Sequence, residues 1–273
     1  KAGQAIVEHP DIPAISFTGG TVTGKKIAAV AGPMFKKLSL ELGGKNPNII
    51  FADCDLEQAI DVSIQSSFSN QGEICLCGSR IFVEESLYET FLSRFVARAK
   101  QLTVGDPLEN DAVIGALVSE AHMRKVLSYI SLAREEGGTV ITGGGQVKLR
   151  GRCENGFFVE PTVIAGLKHD CRTNQEEIFG PVVTIRPFRT EEEVIGYANS
   201  TAYGLSATIW TENLKRAHRV SAAVKSGIIW VNCWLFRDLR TPFGGMKQSG
   251  VGREGGWEAL KFFTDSKNVC IRL

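Results

Sequence analysis

The chain reads as an α/β fold, a mostly parallel sheet covered by helices. Short apolar, β-branched runs alternate with amphipathic stretches along nearly its whole length, and several of these runs pass directly into glycines. With 273 residues, 43% of them hydrophobic, there is enough apolar material for one large domain or two smaller ones. No apolar run approaches the roughly 18 residues of a membrane-spanning helix. Lys plus Arg number 31 against 30 Asp plus Glu, so the balance points to neither nucleic acid nor a membrane surface as partner.

The elements follow in order. "KAGQAIVEHP" (1–10) has the character of a helix entered midway, which marks the chain as an expected fragment. "AISFTGG" (14–20) is a strand running into glycines, followed by a helix at 23–32, a strand at 36–44 and another at 48–51. Residues 55–73 read as a helix with Leu56, Ile60 and Ile64 on one face and Asp55 as N-cap. "RIFVE" (80–84) is a strand, 87–102 an amphipathic helix, and 120–138 a helix closed by glycine. Strands are expected near 139–142, 158–164, 182–188, 206–210 and 228–232, with helices at 191–200 and 214–226 and a final strand-like "KNVCIRL". No internal repeat or low-complexity linker divides the chain.

Chemistry first suggests itself in "FSNQGEICLCGSR" (68–80), which holds two of the seven cysteines one residue apart. An odd number of scattered cysteines is no disulfide framework, so a reducing compartment such as the cytoplasm is expected. A nucleophilic thiol needs a loop or helix end, some exposure and a base or positive field nearby. Cys75, after a polar glycine-containing break, has that context, whereas Cys77 enters a strand; both also fit the role of small buried hydrophobes. Cys-x-Cys without a second pair at ligand spacing builds no tetrahedral site, so no metal is expected. The histidines, at 9, 122, 169 and 218, lie far apart in surface-like settings, and no Cys–His pair is favoured. A carboxylate is the other available base. Glu41 sits between Leu40 and Leu42 at a strand end, directly before two glycines, where open α/β sheets present ligand-binding residues. Apolar neighbours would raise its proton affinity toward neutrality. The residues alone leave a solvated strand-end glutamate equally open.

"FTGG" (17–20), "LELGGK" (40–45), "NQGEIC" (70–75), "EEIFGPV" (176–182), "YGL" (203–205) and "PFGGMKQSGVGREG" (242–255) stand in the order and spacing of the NAD(P)-dependent aldehyde dehydrogenase superfamily. The chain resembles the C-terminal half of such an enzyme. The resemblance implies that Cys75 is the nucleophile, Cys77 a bystander and Glu41 the base. It implies that the thiolate adds to an aldehyde, that collapse of the thiohemiacetal expels hydride to the nicotinamide of NAD, and that Glu41 activates the water that hydrolyses the thioester. The backbone N–H of Cys75 would be one oxyanion donor. Glu177 and Phe179 would meet the nicotinamide riboside, while Thr18, Gly19, Gly20 and Leu42 would line the cofactor, the glycines allowing close approach to the pyrophosphate. Two positions depart from the family pattern: Gly20 stands where serine is common, and Glu73 where glutamine is usual.

The same resemblance implies an architecture. Residues 1–43 would complete a Rossmann-like cofactor domain, 44–246 form the catalytic domain, 247–262 return to the cofactor domain and 263–273 supply an oligomerisation strand of a homodimer or homotetramer. Within "NCWLFRDLRTPFGGMK" (232–247), Arg237 and Arg240 read as ordinary surface charges. Yet "NCW" with an arginine five residues after the asparagine, together with Cys-Leu-Cys, resembles the 2-aminomuconic and 2-hydroxymuconic semialdehyde dehydrogenases, which implies that Arg237 pairs with a substrate carboxylate. A betaine aldehyde or retinal type of dehydrogenase, or a truncated subunit acting only through oligomerisation, is the alternative expectation. NADP is not separated from NAD.

Overall fold

The computed structural model describes all 273 residues. Helix α1 (Ala2–Glu8) precedes strand β1 (Ala14–Thr18), helix α2 (Thr21–Ala31) and strands β2 (Lys37–Glu41) and β3 (Pro47–Ile50). Helix α3 (Leu56–Phe68), strand β4 (Arg80–Glu84) and helices α4 (Tyr88–Ala99) and α5 (Glu120–Glu135) follow. Next come strands β5 (Thr139–Thr142), β6 (Gln146–Val147), β7 (Phe158–Val159) and β8 (Thr162–Ala165), the single turn α6 (Arg172–Gln175) and strand β9 (Val182–Phe188). The chain continues with α7 (Glu191–Asn199), β10 (Tyr203–Gly204), β11 (Ser206–Trp210), α8 (Leu214–Ala223) and β12 (Ile228–Val231). It closes with β13 (Met246–Lys247), β14 (Gly250–Val251) and α9 (Gly256–Phe263).

Seven strands form one sheet in the order β12-β11-β3-β4-β9-β8-β5, parallel throughout except that β5 runs antiparallel to β8. Its central strands are apolar without alternation because helices cover both faces: every residue of β3 and β11 is buried. On one side Phe91, Phe95 and Val96 of α4 pack with Ile60 and Phe68 of α3, and on the other Val194 of α7 and Val220 of α8 pack on Ile49, Phe82 and Ile209. A second sheet has the order β1-β2-β14, with β1 and β2 parallel and β14 antiparallel to β2, so that Gly250 lies opposite Glu41. The two sheets meet where the chain leaves β2 through Gly43 and Gly44 for β3.

Asp55 caps α3 as its position implies, its carboxylate accepting from Gln58 N at 3.1 Å. That helix stops at Phe68 rather than Glu73. Asn70 (φ 49°) and Gln71 (φ 47°) turn left-handed, and Gly72 (φ 73°) lies so close to Gly180 that a Cβ would come within 2.1 Å of its carbonyl oxygen. The strand expected over 158–164 is instead β7 and β8, in different sheets, because Pro161 between them has no N–H for a ladder. The expected final strand does not form within the chain, where residues 264–273 are exposed and without regular structure. A strand needs a partner, and no strand of this chain pairs with the segment. Helix α9, only eight residues long, and the two-residue strands β13 and β14 were not expected.

Arg80, at the start of β4, is fully buried and donates to the carbonyls of Lys45 (2.9 Å), Tyr197 (2.9 Å) and Ala198 (3.0 Å), tying β4 to the β2–β3 connection and to α7. Arg80→Met keeps the stem and removes all three donors. It is expected to cost about 3 kcal/mol in urea unfolding, and a loss below about 1 kcal/mol would mean that water replaces the guanidinium there.

Candidate active site

The β2–β3 connection, the turn after α3 and the turn before β9 converge where the C-terminal ends of β1 and β2 in the small sheet meet the N-terminal ends of β3, β4 and β9 in the large one. They enclose a cavity of about 490 Å³ lined by Thr18, Gly19, Gly20, Glu41, Leu42, Gly43, Glu73, Ile74, Cys75, His122, Lys125, Glu177 and Phe179. All the sequence-selected residues except Arg237 are in that lining. A larger, apolar groove of about 570 Å³ between α1, β1 and α2 shares none of these residues and holds no thiol.

Cys75 is held by its backbone. Asn46 Nδ2 donates to the carbonyls of Cys75 (2.8 Å) and Cys77 (2.9 Å), Asn46 Oδ1 accepts from Ser206 N at 3.1 Å, and Trp234 Nε1 donates to Leu76 O at 3.1 Å. The Cys75 N–H is engaged by no backbone carbonyl. Burial, followed by the charges of Glu177 and Glu41, pushes the Cys75 thiol up to about 11. Cys77 is buried away from the cavity and is pushed up to about 12, chiefly by burial. Only Cys75 is open to a ligand.

Glu41 ends β2 with 5% of its surface exposed. Its Oε1 has no hydrogen-bond partner and lies against Gly244 in the 242–255 segment. Burial first, then the Glu254 charge, raises its pKa to about 7, with Arg253 and Arg237 opposing. Glu177 reaches across from the turn before β9, its Oε1 accepting from Gly44 N at 2.8 Å, and burial raises its pKa also. A Cβ on Gly43 would come within 2.3 Å of that carboxylate, so only glycine lets the two segments approach. Phe179 is left-handed at φ 63°. Lys45, two residues past Gly43, is fully buried with its Nζ unpartnered, and burial pulls its ammonium down to about 7.

Arg237 and Arg240 differ sharply. Arg240 is held by Asp238, whereas Arg237 forms no ion pair and stacks over the Phe243 ring at 4.1 Å. It lines a separate cavity of about 210 Å³ with Asp238, Leu239, Thr241, Phe243 and Glu254. Its charge lowers the pKa of both Glu41 and Cys75, which places it within electrostatic reach of the thiol and the carboxylate. His122 corrects the sequence reading of the histidines as surface groups: it is in the cavity wall, its Nε2 2.6 Å from Phe179 O and 3.4 Å from Glu73 Oε1. Lys125, one turn along α5, donates to Glu177 O at 3.1 Å. Neither residue carries a local motif, and the one legible hint was that a glutamate beside a reactive thiol calls for a compensating donor.

A mostly parallel sheet that gathers a thiol, a buried carboxylate and glycine-lined backbone around one cavity is an α/β arrangement suited to covalent-thiol chemistry. The chain matches the aldehyde dehydrogenase family over residues 1–269 and belongs to it. It is 53% identical over its full length to a 2-aminomuconic semialdehyde dehydrogenase of Danio rerio, and 50% to a 2-hydroxymuconic semialdehyde dehydrogenase of Pseudomonas sp. strain CF600. It spans 56% of the length of each of these relatives. Among solved structures, an aldehyde dehydrogenase of Bacillus cereus superposes with a TM-score of 0.93 at 44% identity, covering 97% of this chain and 53% of that one. A betaine aldehyde dehydrogenase of Staphylococcus aureus in complex with NAD+ does so at 0.91 and 39% identity, covering 95% of this chain and 53% of that one.

Proposed function

We propose that the chain carries the nucleophile, the base and part of the cofactor site of an NAD-dependent dehydrogenase that oxidises a carboxylated semialdehyde, of the 2-aminomuconic or 2-hydroxymuconic kind, to an acid. The observation that carries this reading is the shared cavity: Cys75, Glu41 and Glu177 line it together with the glycine turn before α2. The cavity fits a dinucleotide. The free N–H groups of α2 open beside Gly19 and Gly20 as a phosphate site, Leu42 and Gly43 leave flat apolar wall, and Glu177 and Phe179 stand where the riboside would lie.

In the first step Glu41 takes the Cys75 proton as the sulfur bonds to the aldehyde carbon, and the Cys75 N–H holds the oxygen that becomes anionic. NAD, when bound, accepts the hydride that leaves this carbon. Glu41, its proton returned to solvent, then draws a proton from water as the water oxygen bonds to the thioester carbon and the sulfur departs, giving the acid and the thiol. Residues 1–43 and 247–262 are assigned to the cofactor domain, which accords with β1, β2 and β14 forming their own sheet, and 44–246 to the catalytic domain. The exposed segment 263–273 is assigned to strand pairing with another copy in a homodimer or homotetramer. Seven free thiols suit a reducing compartment, the cytoplasm in this reading.

Arg237 sets the substrate class. An unpaired guanidinium, stacked on Phe243, can make a bidentate, charge-assisted pair with the far carboxylate and so fix the distance from that end to the aldehyde carbon. In the full-length protein, Arg237→Ala is expected to cost roughly 2 kcal/mol in kcat/KM for a carboxylated semialdehyde and little for a neutral aldehyde of similar length. Arg237→Lys restores part, keeping the charge without the fork. An unchanged ratio of the two kcat/KM values in Arg237→Ala would remove the muconic assignment's main local support.

A further inference from the structure

Glu73 lies two residues before Cys75, yet its charge is not among those acting on that thiol. Its carboxylate is turned aside and satisfied. Oε1 accepts from Val118 N at 3.2 Å and stands 3.4 Å from His122 Nε2, while Oε2 accepts from Gln71 Nε2 at 3.1 Å; the side chain is only 9% exposed. The His122 ring, 15% exposed, points the same nitrogen at Phe179 O, 2.6 Å away. Both neighbours of that nitrogen are acceptors, so it carries the proton and shares it between a carboxylate and a carbonyl.

Three segments therefore meet at one N–H: the left-handed turn 70–73 that leads to the thiol, the first turn of α5, and the turn bearing Glu177 and Phe179. The backbone of Glu73 is pinned as well, its N–H donating to Asn70 O at 2.9 Å and its carbonyl accepting from Asn70 Nδ2 at 3.1 Å. Movement of the carboxylate thus moves the loop. Gly72 packs directly on Gly180, so the two turns touch without a side chain between them, and the Glu73–His122 link is the polar tie across that contact.

We infer that Glu73 and His122 are a positioning pair that holds the Cys75 loop at a fixed separation from the Glu177–Phe179 turn, and so aligns the sulfur with the carbon it attacks. The inference rests on Cys75 being the nucleophile. Neither side chain touches the reacting atoms; each acts through the loop. A small displacement of a nucleophile is costly in rate, which is where the effect should appear.

The test is a double-mutant cycle on kcat in the full-length protein, with iodoacetamide alkylation of Cys75 followed by peptide mass as an activity-independent readout. Glu73→Ala and His122→Ala are each expected to lower kcat and the alkylation rate about tenfold, with the aldehyde KM changed less than about threefold. The double variant should be no slower than either single one, a coupling of at least about fivefold. Glu73→Gln, which retains an oxygen for Val118 N, should recover most of the loss. Losses that multiply in the double variant, or a glutamine variant as slow as the alanine one, overturn the pair. Failure of the nucleophile assignment shows separately, as turnover surviving in Cys75→Ala.

Discussion

Cys75→Ala in the full-length protein is expected to lower aldehyde oxidation by on the order of 10⁴-fold or more, since a covalent route loses its bond-forming atom. Cys77→Ala is expected to leave turnover within about threefold and to cost only about 1 kcal/mol of stability, as for other small truncations in a core. The contrast comes from their surroundings. Cys75 lines the cavity with Glu41 and Glu177, while Cys77 is buried and does not line it. Burial pushes the Cys75 thiol up to about 11, so at neutral pH it waits protonated and depends on Glu41 to take its proton as the sulfur attacks. Measuring kcat/KM for both variants decides the matter, and equal losses would leave no reason to prefer one sulfur.

Glu41→Gln should slow the first half, in which the thiol can then lose its proton only to water, and all but stop the second. A single burst of reduced cofactor, stoichiometric with sites, is expected before acid release slows by on the order of 10²–10⁴-fold. The pH profile carries the signature. A carboxyl held at about 7 is protonated and useless as a base below that pH, so deacylation in the unmutated protein should climb from pH 6 to 8 and then level; the variant should lose that limb. Stability shifts in the opposite sense. The native state keeps this proton between the ordinary carboxylate pKa, 4.5, and about 7, where the unfolded chain has released it. Ionisation therefore favours unfolding as pH rises through that window, and above it the charged group costs the native state about 2–3 kcal/mol. Glu41→Gln should accordingly be more stable than the unmutated protein at pH 8 and little different at pH 4. Steady turnover near the unmutated rate, or no gain in stability at pH 8, would remove Glu41 as the buried base.

Local periodicity was enough to place every strand of the large sheet within a few residues, apart from the break at Pro161, because buried parallel strands and the helices between them each carry their own apolar pattern. It failed where local preference was overruled or absent. Residues 69–73 continue the helical composition of α3 but are drawn into a left-handed turn by their packing on Gly180, and β13, β14 and α9 have too little length to announce themselves. The chain end at 264–273 has strand composition without a partner strand inside the chain.

The sequence by itself determined the fold class, the motifs that mark the family and the residue types able to do its chemistry, since these depend on spacing along one chain. Only the tertiary structure decided which of them act together. That Cys75 lines the cavity and Cys77 does not is a matter of burial, and that Arg237 is free of an ion pair while Arg240 is not follows from which guanidinium Asp238 occupies. The raised proton affinity of Glu41 comes first from burial and then from the charge of Glu254, which the pairing of β14 with β2 helps bring to a carboxylate far from it in sequence. His122 entered the site because α5 docks its first turn against Glu73 and Phe179. Burial and Coulomb interactions are set by distance in space, and composition and period record distance only along the chain.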